Sequence, residues 1–471
     1  MAKNSPYLVT KKLLPFTNIL IIMRCTVFLC IVCSPSFLFA QSIHWTLDEC
    51  IAYALEHNIE IKSQELTAET KRVTFSESKW AYAPSVSASN SYNLSTGRVL
   101  DPTTYDFIEN QTVQGNSTSL SAGITLFSGM GNLHNMKRAK LDLRSSLLGV
   151  EKIRNDITLN ITAYYLEILC AQENIRNAEQ IVGSLKIQEE KTAKQVEARK
   201  VTMADLLQIQ SQLAEAENNV FTARNTYDIA RLNLCQLLEI DNYTSFETMM
   251  PDENLPEISG QPQEISPVID AAMTLPQMQM ARLDIDIAQR DVRIARAAYY
   301  PTISLSAAYG SSYSDARQKA LQNPDGTYRY DAYPFFEQYK DNANSYISLS
   351  LSVPIFGGFQ KRKSVRKAQL AARQAEYALR TMEKQVTKEV NQAWIDMRTA
   401  WEKYLSSQKY VATATEAARQ VERKYELGVA TVVDYNTSLD NLVKAKSQFL
   451  QAKYEYIFKT KLIRFYLNQR S

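Results

Sequence analysis

Side chains able to do acid–base, metal or nucleophilic chemistry are few in this chain and far apart. Only three histidines occur, His44, His57 and His134, and none is spaced with a cysteine as a metal-ligand pair. There is no phosphate-cradling glycine loop, no Cys/His ligand spacing and no nucleophile motif. An enzyme is therefore not expected, and neither is a metal or cofactor. Of six cysteines, Cys25, Cys30 and Cys33 fall within the first 40 residues, while Cys50, Cys170 and Cys235 are scattered on helical patterns. Three remaining thiols allow one disulfide at most, and buried free thiols are expected. Two acids stand in matching places: Asp434 in KYELGVATVVDYNTSL and Asp205 in KQVEARKVTMADLLQIQ. Each follows the start of a helical pattern, where a carboxylate is favoured by the helix dipole.

The elements that position these acids are two copies of one helical hairpin. A long pattern stops at Leu427, Gly428 supplies the left-handed residue of a helix end, and a second pattern starts within about three residues. A constant shift of 229 places Val196 on Tyr425, Thr202 on Thr431, Asp205 on Asp434, Ala216 on Ala445 and Tyr227 on Tyr456. Helices of about 68 residues, from roughly Gly131 to Arg199 and Gln360 to Leu427, lead into the two tips, and half-length helices over roughly 202–238 and 430–467 follow. The second long helix carries a heptad seam from Val365 through Leu379, Val390, Ala400 and Ala418 to Tyr425, and the first repeats its later part from Ile157 to Val196. Such a seam predicts left-handed coiled packing.

Before each long helix the period changes. A helical segment over Thr46–Tyr82 recurs from about Gln263 to Tyr299, and both copies meet a proline, Pro84 and Pro301, after which alternation begins. Val86, Ala88, Tyr92 and Leu94 share one face with the polar exception Asn90, and Ile303, Leu305, Ala307 and Tyr309 follow suit. Second strands run through Leu120–Leu126 and Ile347–Val353, giving four strands of about ten residues, the length that crosses a bilayer when tilted. The loop between the later two, about Ser311–Ser345, is expected to be polar, with an Asn-Pro-Asp-Gly turn and many aromatics. Four strands cannot close on themselves, so strands of this kind imply an oligomer.

Composition agrees with few, long elements: 13 glycines and 14 prolines in 471 residues are about half the usual share. Residues 1–40 carry Lys3, Lys11, Lys12 and Arg24 and no acid, and past them 49 basic residues balance 50 acidic ones, which gives no case for nucleic-acid binding. The run CTVFLCIVC ahead of Ala40 predicts a cleaved export signal over 1–40, with Met23 as an alternative start. The remainder divides into a first repeat (41–238), a Pro/Gly-rich linker (239–262) and a second repeat (263–471).

The tip KYELGVATVVDY, the alanine-spaced helix after it, the strand-opening prolines, the FSGMG and FGGF turns and the tandem organisation together resemble the TolC family of outer-membrane channels. The resemblance covers essentially everything after Gln41. It implies a mainly α fold with a membrane β-barrel segment, in which a homotrimer contributes four strands per chain to one barrel, continued by a long α-helical coiled-coil barrel through the periplasm. It also implies a duct in outer-membrane lipid that serves efflux or type I secretion. The implied partners are a periplasmic adaptor of the membrane-fusion type and an inner-membrane RND or ABC transporter. By motif position Asp434, Asp205 and Tyr425 match the family's periplasmic constriction, and Leu427, Gly428, Val429, Arg199, Lys200 and Val201 its adaptor-contacting tips. The chain departs from the family at Ala430, where some members carry an interhelical Arg, and at Thr437, where they carry a second ring Asp. The other class of reading is a secreted coiled-coil scaffold, which accounts for the heptads but not for the strands.

Overall fold

The structure is a computed structural model that describes residues 44–100, 107–249 and 264–467. The expected export signal and most of the expected linker lie outside these residues. The first repeat runs β1 (His44–Trp45), α1 (Leu47–His57), α2 (Ile59–Trp80), β2 (Ser85–Leu100), β3 (Phe107–Ser128), α3 (Gly131–Glu197) and α4 (Met203–Leu237). After β4 (Glu247–Thr248), which pairs in parallel with β1, the second repeat runs α5 (Ile265–Ala272), α6 (Pro276–Ala297) and β5 (Thr302–Ser314). It continues with β6 (Gln318–Gln322), β7 (Tyr328–Ala332), α7 (Phe335–Asp341), β8 (Asn344–Ser352), α8 (Gln360–Glu426) and α9 (Val432–Tyr466).

The two 67-residue helices α3 and α8 are each about 100 Å long. Shorter helices pack beside them in pairs, α2 and α4 along α3, and α6 and α9 between α3 and α8. Stacked half-helices thus match one long helix. The single helix expected over Thr46–Tyr82 is in fact broken at Asn58, and the break is the splice between stacked halves. The Asn58 Oδ1 accepts from the amides of Glu60 (2.9 Å) and Ile61 (3.2 Å), while its Nδ2 donates to the carbonyl of Leu237, the last residue of α4 (2.9 Å). One buried side chain therefore caps α2 and ties it to the end of α4.

Two cores form at this level. Cys50, Ala54, Ile61, Ile161, Ile168 and Leu234 pack in the one centred on the first repeat, which Leu450, Tyr454 and Ile457 of α9 also enter, and Val268, Met278, Val386, Val390, Ala400 and Ile463 in that of the second. The heptad residues of α8 named above are all buried or half-buried. Cys50, Cys170 and Cys235 are free thiols. Burial pushes Cys50 up to about 12 and the other two to about 11, which keeps them protonated and unreactive at neutral pH.

The four strands form one antiparallel sheet in the order β2-β3-β5-β8. Register lines up the two faces cleanly. Val86, Ala122, Ala307 and Ile347 make one apolar row and Ala88, Leu120 and Tyr309 the next, while Ser85, Gly123, Ser306 and Ser348 line the other face. On that polar face the hydroxyls of Ser87 and Ser121, and of Ser89 and Ser119, lie 2.8 Å apart. The apolar face is uncovered, with Ile347 80 % exposed. Strand length departs from the expected ten: 16, 22, 13 and 9 residues. The excess arises because β3 pairs with β5 only from Gly115 onward, with Gln114 still bonded to Asp315, so the residues of β3 before Gln114 and their β2 partners form a two-stranded ribbon beyond the four-stranded sheet. Pairing rather than apolar alternation maintains that ribbon, so the alternation did not mark it. The expected polar loop is also structured. Its first residues continue β5, and the rest holds the β6–β7 hairpin, turned at Asn323–Gly326, and α7.

Both prolines stand where the sequence put them, directly before β2 and β5, and the glycine turns close β3 and lead from β8 into α8. Each of these turns has two successive left-handed residues, Gly129 and Met130 (φ 61° and 66°), Gly358 and Phe359 (φ 59° and 62°). The two glycines differ in surroundings. A Cβ on Gly129 would lie 2.5 Å from the carbonyl oxygen of Ala297 and 2.6 Å from the Tyr300 Cβ, whereas a Cβ on Gly358 meets nothing within 4 Å. Gly358→Ala is expected to cost only the left-handed strain, about 1 kcal/mol, and Gly129→Ala roughly 2–4 kcal/mol because backbone must shift. Denaturant midpoints of the detergent-solubilised protein check this, and equal losses would refute the close contact between repeats. On the apolar face Leu349→Arg should cost roughly 2–4 kcal/mol near the bilayer midplane, while Ser350→Arg on the other face should leave stability nearly intact and alter conductance. Equal tolerance of both substitutions in folding assays would mean the faces are misassigned.

Candidate functional site

Each hairpin tip is built from two local devices. At the second, α8 ends in a Schellman turn: the Gly428 amide donates to the Tyr425 carbonyl (2.9 Å) and the Val429 amide to the Lys424 carbonyl (2.8 Å), with Gly428 at φ 73°. Three residues later Thr431 caps α9, and its amide and hydroxyl both donate to Asp434 Oδ2 (3.0 and 2.7 Å). The first tip repeats this chemistry. Arg199 and Lys200 donate to the carbonyls of Val196 (2.9 Å) and Gln195 (2.8 Å), and the Thr202 amide and hydroxyl donate to Asp205 Oδ2 (2.9 and 2.7 Å). Arg199 adopts φ 57° where the second tip has glycine, so the same turn is made against steric resistance.

The predicted contact residues sit at the ends of the molecule. Leu427 and Val429 are 79 % and 75 % exposed, apolar side chains held out on a rigid turn. Arg199 and Lys200 are also exposed and Val201 is half-buried, so the two tips offer different chemistry, apolar on one and cationic on the other. The two acids are brought into equivalent cap positions, each with one carboxylate oxygen engaged by a threonine. For Asp434 the Thr431 hydroxyl, then its amide, hold the carboxyl below its usual range. The spacing Thr-x-x-Asp was legible as a capping box and is satisfied at both tips.

Three features went unread in the sequence. Tyr425 stacks on Tyr435 with ring centroids 5.2 Å apart, and burial, helped by Glu422, pushes the Tyr435 hydroxyl up to about 12. Tyr435 adjoins Asp434, and its place one turn into α9 was the available signal. Lys191 of α3 pairs with Glu426 of α8 at 3.2 Å, tying the two long helices together next to the tips. Above the tips a groove of about 560 Å³ between α3, α4 and α9 is lined by Ala178, Ile181, Gln212, Glu215, Asp440 and Lys444, among others. Burial, and then the charge of Glu215, raise the Asp440 carboxyl. No sequence spacing joins residues on three helices in this way.

Because folding lowers the Asp434 carboxyl, the cap's contribution is complete above the ordinary carboxylate range and disappears as pH falls through the lowered value. Amide-exchange protection at Thr431, Asp434 and Tyr435 should therefore hold from neutral pH to about 4 and fall below that. In Thr431→Ala protection should be lower throughout, with this pH step lost. A step that survives in the variant would assign it to another group.

Comparison with known proteins places this architecture. The family model described as "Outer membrane efflux protein" matches residues 50–238 and again 270–468, once on each repeat. The outer membrane protein TolC of Escherichia coli is 23 % identical over 73 % of this chain and 68 % of its own length. The alkaline protease secretion protein AprF of Pseudomonas aeruginosa is 22 % identical over 77 % and 71 %. Among solved structures, the CmeC outer membrane channel of Campylobacter jejuni superposes with a TM-score of 0.75 at 16 % identity, over 90 % of this chain and 85 % of that one. The uncovered apolar sheet, the paired 67-residue helices and a family match to both repeats agree: the chain belongs to the outer membrane efflux protein family, the TolC-like exit ducts of the Gram-negative outer membrane, which are not enzymes.

Proposed function

We propose that three copies of this chain join their sheets into one twelve-stranded barrel and continue it as a helical tunnel, whose far end is gated at the two tips. The observation that carries this reading is the sheet itself. It has one apolar and one serine–glycine face, and the outer backbone edges of β2 and β8 pair with no other strand among the described residues. Neighbouring copies are the simplest way to pair those edges, since β8 of one then meets β2 of the next. A secreted scaffold would leave the same apolar face in water.

The tips lie a helix length of about 100 Å from the sheet, far enough to meet a periplasmic adaptor and, through it, an inner-membrane transporter of the RND or ABC type. Leu427 and Val429 supply an apolar docking knob, with Gly428 shaping the turn. Arg199, Lys200 and Val201 supply a second, basic surface, so an adaptor subunit distinguishes the two hairpins. Within the trimer Asp434 and Asp205 each become three carboxylates around the axis, a field that favours cations. Ala430 and Thr437 stand where some family members carry an interhelical Arg and a second ring Asp. The Lys191–Glu426 pair and the Tyr425–Tyr435 stack take over the task of holding the tip closed.

Single-channel recording of the reconstituted full chain in a planar bilayer tests this reading. Cation-preferring conductance is expected, Asp434→Asn should reduce the preference, and Glu426→Gln should raise the mean conductance. Unchanged selectivity in Asp434→Asn would remove that residue from the gate, and a water-soluble monomer without conductance would end the channel reading for this chain.

A further inference from the structure

We infer that α7 is a membrane-interface anchor: it lies on the lipid-facing side of the sheet, at the end remote from the long helices, and inserts Phe336 at the boundary of acyl chains and headgroups. The inference rests on the apolar rows facing lipid. Along that face the rows change character abruptly. Above Ala88, Leu120 and Tyr309 comes a row of Asn90, Thr118 and Ser311, and above it Tyr92, Asn116 and Tyr313. The Asn90 amide donates to Asn116 Oδ1 (3.1 Å) and to the Thr118 hydroxyl (2.6 Å), so the polar exception in the strand pattern marks the upper limit of the apolar band.

On this face α7 is fixed to these two rows. The Tyr339 hydroxyl bonds that of Thr118 (2.9 Å) and also Asn116, the Ser311 hydroxyl donates to the Tyr339 carbonyl (2.6 Å), and the Phe335 ring packs on Tyr313 at 4.9 Å. All four partners share the side-chain parity of the apolar rows, so the helix sits on the outward face, just beyond those rows. Its attachment is rigid. Gln338, fully buried, accepts from the Ser314 amide (3.1 Å) and donates to the Ser314 carbonyl (2.9 Å), and Asn342 donates to the Ser312 carbonyl (2.7 Å). These side chains satisfy the edge of β5 above the point where β8 stops pairing with it.

From this mount Phe336 is 85 % exposed, edge-on to Phe335 at 5.4 Å. Tyr309 of the last apolar row lies two residues, about 7 Å along the strand, below Ser311. Nearby charge is balanced rather than basic, since Lys319 is paired with Glu337 (2.9 Å), which favours an aromatic wedge over a phosphate-binding patch. An aromatic held at the apolar-to-polar boundary of a barrel wall is placed where amphipathic rings are most stable in a bilayer.

The test is lipid quenching of a tryptophan at this position in the full chain, reconstituted in phosphatidylcholine vesicles. Phe336→Trp is compared with the parent, whose four tryptophans give the background, and with Leu349→Trp in the middle of the apolar band. The added emission of Phe336→Trp should be blue-shifted and fall by roughly half when the acyl chains carry bromine near the headgroup end, and much less when bromine sits near the methyl end. Leu349→Trp should show the reverse preference. If Leu349→Trp is quenched and Phe336→Trp is not, the anchor is refuted while the lipid-facing assignment stands, whether 336 then lies in water or under a neighbouring copy. Quenching of neither refutes both.

Discussion

A β-sheet that ends inside hydrocarbon leaves a row of amides and carbonyls with nothing to bond, at several kcal/mol each. Everything distinctive about this chain follows from that constraint. Its sheet has four strands, too few to curl closed, and apolar side chains on one face only. A globular protein would bury such a face under helices. Here the helices leave the sheet at one end and run away from it, so within the chain nothing covers the apolar rows among the described residues. Lipid has to cover the face, and in the proposed trimer other copies pair the edges.

The helical part answers a second constraint, that of length. A helix of about 100 Å cannot be stable alone in water without neighbours along its whole course. The chain provides them with half-length helices, set end to end beside each long one. The joint between halves is then the vulnerable place, because four amides and four carbonyls lose their helical partners there. Asn58 resolves it with one side chain that serves both ends, bonding two amides of α2 and the terminal carbonyl of α4. A core gathers around each joint. At the other end Gly129 brings the first repeat's turn against the backbone of the second, so the register between repeats is set at the base of the sheet.

Most of this was legible because it depends on period. Heptads, two-residue alternation and a constant offset survive in a single sequence, and the seam from Val365 to Tyr425 is recovered as buried or half-buried residue by residue. What was not legible depends on partners. The ribbon made by the residues of β3 before Gln114 is held by cross-strand bonds that polar residues make as well as apolar ones. The split at Asn58 interrupts no helical spacing over Thr46–Tyr82, and its second role needs Leu237, 179 positions away. The order inside Ser311–Ser345 rests on Gln338 and Asn342 reading the edge of β5, which no local spacing announces. At the tips the acids, the turn glycine and the exposed apolar residues were found by position. The Lys191–Glu426 tie joins residues 235 positions apart and was invisible for the same reason.

The capping threonines bear on how the proposed gate would hold its charge. Three carboxylates brought together on a threefold axis raise one another's pKa, and a ring that protonates loses its field. A local hydrogen-bond pair that lowers the pKa opposes this. Thr431 supplies such a pair to Asp434, so in the proposed ring each subunit would offset the repulsion its own acid meets. The same bonds define the first turn of α9. In such a gate, charge at the mouth and order at the tip would be one structural property, and a movement that frays the turn would weaken the field as it widens the pore. Opening by rigid displacement of the intact hairpin keeps both, which is the motion that a turn closed by two Schellman bonds and a capping box is built to survive.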